Sequence, residues 1–129
     1  MSKSKNVKID LLHLFSEAHN CYLVYKNTRS ANAYGRYLEL RRLFLELNVT
    51  KDYVNYVFGA KQKIAESGKI SSVYLIERAA LLYDYIKKDT SNRVRKGRYD
   101  ALMDIILDYG LAESYFKFIE RGAAYAEKN

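Results

Sequence analysis

Proline and tryptophan are absent from this chain of 129 residues. Because proline is the usual breaker of helices, its complete absence favours an all-helical protein. Cys21 is the only cysteine, which excludes an internal disulfide and indicates a reducing compartment. His13, His19 and Cys21 are close in sequence, but their spacing matches no standard zinc pattern and a fourth ligand is not evident. We therefore expect neither a metal site nor a cofactor.

The sequence also lacks long apolar runs. No signal-peptide core follows the basic start, and nothing approaches the roughly 20 apolar residues of a membrane span. These features predict a cytoplasmic protein without a membrane partner. The sequence shows no evident nucleophile–base pair, phosphate-binding loop or pair of carboxylates spaced for catalysis. We therefore do not expect an enzyme. The formal charge of +7 is compatible with an acidic partner, double-stranded DNA first and an acidic protein surface second.

Apolar residues at helical spacing predict one compact all-α domain of about six helices over residues 1–129. Asp10 is a suitable cap for the first helix, and Thr50 for the third. The third helix is expected to run to about Ser67, where Gly68 would end it. No stretch shows a sustained strand alternation, so the sequence predicts no strand.

The two halves of the chain resemble each other. Residues 10–67 align without a gap on residues 72–129 when each residue is paired with the one 62 positions later. Nine pairs are identical, where roughly three or four are expected by chance. They include Gly35-Arg36-Tyr37 with Gly97-Arg98-Tyr99, and Tyr53 with Tyr115. This predicts a tandem duplication of a three-helix unit.

Each half contains a helical hairpin with helix-turn-helix spacing. In "LNVTKDYVNYV", Asn48 is the turn residue, Val49 fixes the turn to the core, and Val54 and Val57 would anchor the second helix. Over about residues 39–58 this resembles the helix-turn-helix family of DNA-binding proteins. One departure is Phe44, because the family usually has a small residue four positions before the turn.

The resemblance implies a DNA-contacting surface on the third helix. Its candidate residues are Thr50, Lys51, Asn55, Tyr56, Lys61 and Lys63. The second half has Glu113 at the start of its last helix, where a phosphate would normally dock. We therefore expect the second half to brace the first or to pair two chains into a homodimer.

A second basic cluster lies in "NRVRKGR" of the second half. Arg93, Arg95, Lys96 and Arg98 are candidates for a backbone phosphate or an acidic partner, and a solvated loop is the alternative. Asp100, Asp104 and Asp108 follow at intervals of four on the same helix. They are expected to form a solvated acidic face, or to meet a basic surface of another subunit.

The hydrophobic pattern also predicts the core. Eight residues in equivalent positions are expected to be mostly buried: Leu40, Leu47, Val54 and Val57, with Leu102, Tyr109, Phe116 and Ile119. The tyrosines kept in both halves, such as Tyr53 and Tyr115, are expected to pack in the core with their hydroxyls reaching the surface. The recurring Gly35 and Gly97 indicate either a close crossing with helix one or a helix that begins one residue later.

Two functions remain open from the sequence. The first is a small DNA-binding regulatory protein, of a phage, plasmid or other mobile element, that uses the first half as its helix-turn-helix reader. The alternative is a helical interaction module: an inhibitor, an adaptor or a small subunit of a nucleoprotein complex, binding an acidic partner.

Overall fold

A computed structural model describes the backbone of residues 5–128 and the side chains of residues 5–122. This part of the chain forms a strand followed by three helices, and then the same order again. The elements are β1 (Asn6–Asp10), α1 (Leu11–Thr28), α2 (Ala31–Glu46), α3 (Thr50–Val57), β2 (Ser67–Ser71), α4 (Ser72–Lys88), α5 (Arg93–Asp108) and α6 (Ala112–Lys128). The predicted helical class and the number of helices are confirmed.

The two strands form a small antiparallel sheet that the sequence pattern did not predict. Val7 and Ile9 do alternate with polar residues in β1, but the alternation lasts only five residues. Its partner β2 lies some 60 positions further along the chain. A strand this short is stable only when a distant segment completes it, so local pattern cannot reveal it.

Helix α3 is much shorter than predicted. It begins at Thr50 and ends at Val57. The prediction of Thr50 as its cap was wrong, because the N-cap is Val49 and no side chain makes a capping hydrogen bond there. The extension to Ser67 was wrong because the backbone turns at Gly59, which has a φ of +63°. Glycine adopts this left-handed conformation at little cost. Gly68 does not end a helix, since it lies within β2.

The two halves bury residues at matching positions, but not at a constant offset. Strands and first helices match at an offset of 61: Ile9, Leu11, Leu14, Phe15 and Ala18 correspond to Ile70, Ser72, Leu75, Ile76 and Ala79, all buried. From the second helices onward the offset is 62, as in Leu40 and Leu102. The buried positions of the strands and first helices therefore do not follow the 62-residue offset as a set.

The core predictions were partly right. Leu40 and Leu102 are buried, and Leu47, Val57, Tyr109 and Ile119 pack against the core while partly exposed. The prediction was wrong for Val54 and Phe116, which are 40% and 53% exposed. Tyr53 and Tyr115, one position earlier in each helix, are buried instead. The core-facing side of each helix therefore passes through Tyr53 and Val57, or through Tyr115 and Ile119, and not through Val54 or Phe116.

Helices α2 and α5 cross in very close contact at the two recurring glycines. A Cβ atom on Gly35 would lie 1.9 Å from the carbonyl oxygen of Val94, and one on Gly97 would lie 2.1 Å from the carbonyl oxygen of Asn32. Both glycines are inside their helices. The close crossing was predicted, but its partner is the equivalent helix of the other half and not helix one.

We expect Gly35→Ala to destabilise the protein strongly, because the methyl group would have to displace the backbone of α5. Overpacking of this kind costs about 1–3 kcal/mol, and more where the obstructing atom is backbone. Urea unfolding followed by circular dichroism measures the loss.

Gly122→Ala is the matched control, since a Cβ there meets nothing within 4 Å and the glycine lies in a helix. It should gain roughly 0.5–1 kcal/mol from helix propensity. Wild-type stability in Gly35→Ala would contradict the close crossing.

Candidate nucleic-acid interface

The two-stranded ribbon presents one polar face outside the core. Its register pairs Asn6 with Ser71, Val7 with Ile70, Lys8 with Lys69, Ile9 with Gly68 and Asp10 with Ser67. Side chains of directly opposed residues point to the same side of a sheet. Ile9 and Ile70 are buried, so their face is the core face. The outer face consists of Asn6, Lys8, Asp10, Ser67, Lys69 and Ser71.

Two lysines face each other at the centre of this outer face. Lys8 and Lys69 are directly opposed in the register, and both are exposed. Like charges in opposed positions of a sheet destabilise the pairing. The outer face of the ribbon therefore carries two exposed lysines in opposed positions.

Residues at the ends of two helices hold the ribbon in place. The backbone N–H of Asp10 donates a hydrogen bond of 2.8 Å to the hydroxyl oxygen of Tyr109, at the end of α5. Gly68 packs against the side chains of Leu11 and Leu47, and Leu47 closes α2. The ribbon is therefore attached to the C-terminal ends of the two helices that cross at the glycines.

Each strand also leads directly into a capped helix. Asp10 Oδ1 accepts a hydrogen bond from the backbone N–H of His13, and Ser71 Oγ accepts one from the backbone N–H of Tyr74. These side chains satisfy N–H groups that have no partner within their own helix. The caps fix the angle at which each strand continues into the helix that follows it.

The structure does not bring the predicted helix-turn-helix residues onto one helical face. Lys51 is exposed on α3, but Lys61 and Lys63 lie in the segment after the helix. The ring of Tyr56 packs 5.8 Å from that of Phe15, among the core side chains.

The other two predicted DNA contacts of this hairpin, Thr50 and Asn55, are not exposed on α3 either. The hydroxyl of Thr50 is buried and has no hydrogen-bond partner in the structure. Asn55 is partly buried, and its amide donates a hydrogen bond of 3.1 Å to Gln62. Only Lys51, of the six predicted residues, combines exposure with a position on α3.

The turn geometry of both hairpins agrees with the sequence. Asn48 has a φ of +59° and Gly110 one of +72°, the left-handed conformation that tight turns use.

Burial raises the pKa of Tyr53 to about 12, and burial with a hydrogen bond to Tyr99 raises the pKa of Tyr115. Both rings pack in the core, as the sequence predicted, but the prediction that their hydroxyls reach the surface was wrong, since Tyr53 and Tyr115 are only 4% and 1% exposed.

Most of the second basic cluster makes contacts within the protein. Lys96 forms an ion pair with Asp100, and the Arg95 guanidinium lies 4.9 Å from the centre of the Tyr85 ring. Arg98 donates to a buried carboxylate described below, and Arg93 is exposed. These four side chains do not form one basic surface.

The row of aspartates meets α2 of the same chain rather than only solvent. Arg36 Nη1 donates a hydrogen bond of 2.6 Å to Asp104, and the Asn32 amide donates one of 3.0 Å to Asp100. Asp108 is exposed at the end of α5. The predicted solvated acidic face thus holds for Asp104 and Asp108, which are exposed, whereas Asp100 is partly buried.

Glu39 is a buried carboxylate that the sequence analysis did not identify. It lies on α2, is 2% exposed, and accepts two hydrogen bonds from Arg78 on α4, at 2.9 and 3.1 Å. Arg98 on α5 donates a third at 3.2 Å. The hydrogen bond from Arg78 to Glu39 raises the pKa of that arginine. One carboxylate thus joins three helices.

The ribbon lysines were also not among the binding residues predicted from the sequence. A usable signal was present, because Lys8-Ile9 and Lys69-Ile70 are the same dipeptide at the 61-residue offset that the strands follow. The alignment at 62 residues hid this identity. Asn6 had no comparable signal.

The structure gives no support for a reactive cysteine or a metal centre in its described part. Burial raises the pKa of the Cys21 thiol, which disfavours the nucleophilic thiolate. The described residues contain no group of three His, Cys, Asp or Glu side chains able to hold a metal ion. No described helix has both the length and the apolar character needed to cross a bilayer.

Comparison with known proteins identified no relative. No family model, no curated protein and no solved structure matches this chain.

We expect Glu39→Gln to lower the free energy of unfolding by about 3 kcal/mol or more, because it leaves two partly buried guanidinium groups without their anion. Glu113→Gln removes the same charge from an exposed pair with Lys117 and should cost less than about 1 kcal/mol. Urea unfolding of both variants tests this. Equal losses would show that the buried cluster contributes no more than a surface pair.

Proposed function

We propose that this chain is a small double-stranded DNA-binding regulatory protein whose two-stranded ribbon enters the major groove. The observation that carries the proposal is the exposed lysine pair, Lys8 opposite Lys69, on the outer face of the ribbon. Lysine can contact either a phosphate or the O6 and N7 acceptors of guanine. The role is one of binding and not of catalysis.

The dimensions of the ribbon suit this groove. Two paired strands lie about 4.8 Å apart, and the major groove is about 12 Å wide, which admits a two-stranded ribbon with its side chains. Known readers of this kind insert strands rather than a helix. The formal charge of +7 supports approach to the phosphate backbone.

The ribbon suits the major groove better than α3 does, because its polar side chains lie together on one outer face. The strand register places its outer side chains on one face, and residues at the helix ends contact the ribbon. On α3, Tyr56 is turned toward the core and Val54 is an exposed apolar side chain. Apolar groups do not attract phosphate, so we do not propose α3 as the reading element.

We also propose that the chain arose by tandem duplication. Both halves repeat the order of elements, the buried positions and the left-handed turn residue. The glycine contacts are reciprocal: Gly35 meets Val94, and Gly97 meets Asn32, each residue lying 62 positions from its counterpart. Such an arrangement gives the ribbon an approximate two-fold axis, as the DNA backbone has.

The exposed apolar side chains favour a second candidate function, binding of a protein partner by the α3 side of the molecule. Phe58 is 80% exposed just after α3, and Val54 is 40% exposed on it. Large apolar groups at a surface often mark a contact with another protein. This candidate would replace the DNA proposal if no duplex is bound.

Lys8→Met and Lys69→Met should each weaken duplex binding by about 1–3 kcal/mol if the lysine reads a base, or lower the salt slope by about 1 if it meets a phosphate. Fluorescence anisotropy with labelled duplex pools, at low and at moderate salt, separates the two effects.

Lys51→Met is the matched control, since it removes the same charge from the exposed face of α3. We expect less than a twofold change in its affinity. A large loss in Lys51→Met with none in the ribbon variants would favour the helix-turn-helix instead. Absence of binding at low salt would reject DNA as the target.

A further inference from the structure

We propose that the ribbon reads a non-palindromic DNA site, with Asn6 as the residue that distinguishes one half of the site from the other. This inference rests on the proposed function. It concerns the sequence of the target and not whether DNA is bound.

The centre of the outer face is symmetric. Lys8 and Lys69 are directly opposed and equivalent at the 61-residue offset of the two strands. An approximate two-fold axis between them would relate one half of the ribbon to the other. The two lysines therefore offer the same contact to both halves of a DNA site.

The ends of the outer face are not symmetric. Asn6 begins β1, whereas its equivalent at the start of β2 is Ser67. Because the strands are antiparallel, Asn6 lies beside Ser71 at one end of the ribbon, and Ser67 lies beside Asp10 at the other. One end carries an amide and a hydroxyl, and the other carries a hydroxyl and a carboxylate.

These groups differ in what they can recognise. An asparagine amide donates and accepts at once, which matches N6 and N7 of adenine, whereas a serine hydroxyl discriminates weakly among bases. Because Asp10 and Ser71 both cap helices, we assign the difference in base recognition between the two ends of the ribbon first to Asn6 and Ser67. The carboxylate of Asp10 adds to the asymmetry, because its negative charge disfavours a nearby phosphate.

A chain of two fused halves can keep such a difference, because each strand has its own sequence. Two identical subunits would present the same residue at both ends and would select a palindrome. We infer a site with equivalent central contacts to the lysines and an adenine contact in one half only.

Selection of bound sequences from a random duplex library tests this. Wild type should enrich a non-palindromic motif with adenine in one half. Asn6→Ser makes both ends serine at this position and should reduce that adenine preference about tenfold or more. Ser67→Asn should add an adenine preference in the other half and make the motif more nearly symmetric.

Three results are distinguishable. A palindromic wild-type motif, or an adenine preference that survives Asn6→Ser, overturns this inference while leaving DNA binding intact. Failure of wild type to enrich any sequence, with no loss of affinity in Lys8→Met or Lys69→Met, overturns the proposed function together with the inference. Both substituted residues are exposed, and thermal unfolding verifies that each variant is folded.

Discussion

The crossing of α2 and α5 at Gly35 and Gly97 determines where the rest of the molecule lies. At this point the backbones approach so closely that neither helix has room for a single methyl group. The far ends of the same helices hold the ribbon, through Leu47 against Gly68 and Tyr109 against Asp10. The position of two strands from distant parts of the chain thus depends on two close backbone contacts, of Gly35 with Val94 and of Gly97 with Asn32.

The buried carboxylate of Glu39 adds specificity to this arrangement. Its three hydrogen bonds connect α2 with α4 and α5, and α4 follows directly from β2. A buried ion pair gives little net stability compared with apolar packing, but a mispaired arrangement would leave its charges unsatisfied. The cluster therefore disfavours other registers between the halves, while the glycines permit the correct one.

The sequence was sufficient for the number and order of the helices, but not for the end of α3 or for the candidate site. Helical periodicity, the turn residues Asn48 and Gly110, and the core tyrosines of α3 and α6 were all readable, because each depends on residues a few positions apart. The ribbon was not readable, since its strands are five residues long and pair across some 60 positions. Glu39 was missed for the same reason, because its partners Arg78 and Arg98 belong to the other half.

We propose that DNA binds the ribbon and not the third helix. Titration of the isotopically labelled protein with a short duplex at low ionic strength, followed by amide nuclear magnetic resonance, tests it most directly. If DNA binds the ribbon, the largest changes in chemical shift should fall on residues 6–10 and 67–71 together. Changes concentrated in residues 50–63, with the ribbon signals unmoved, would contradict it.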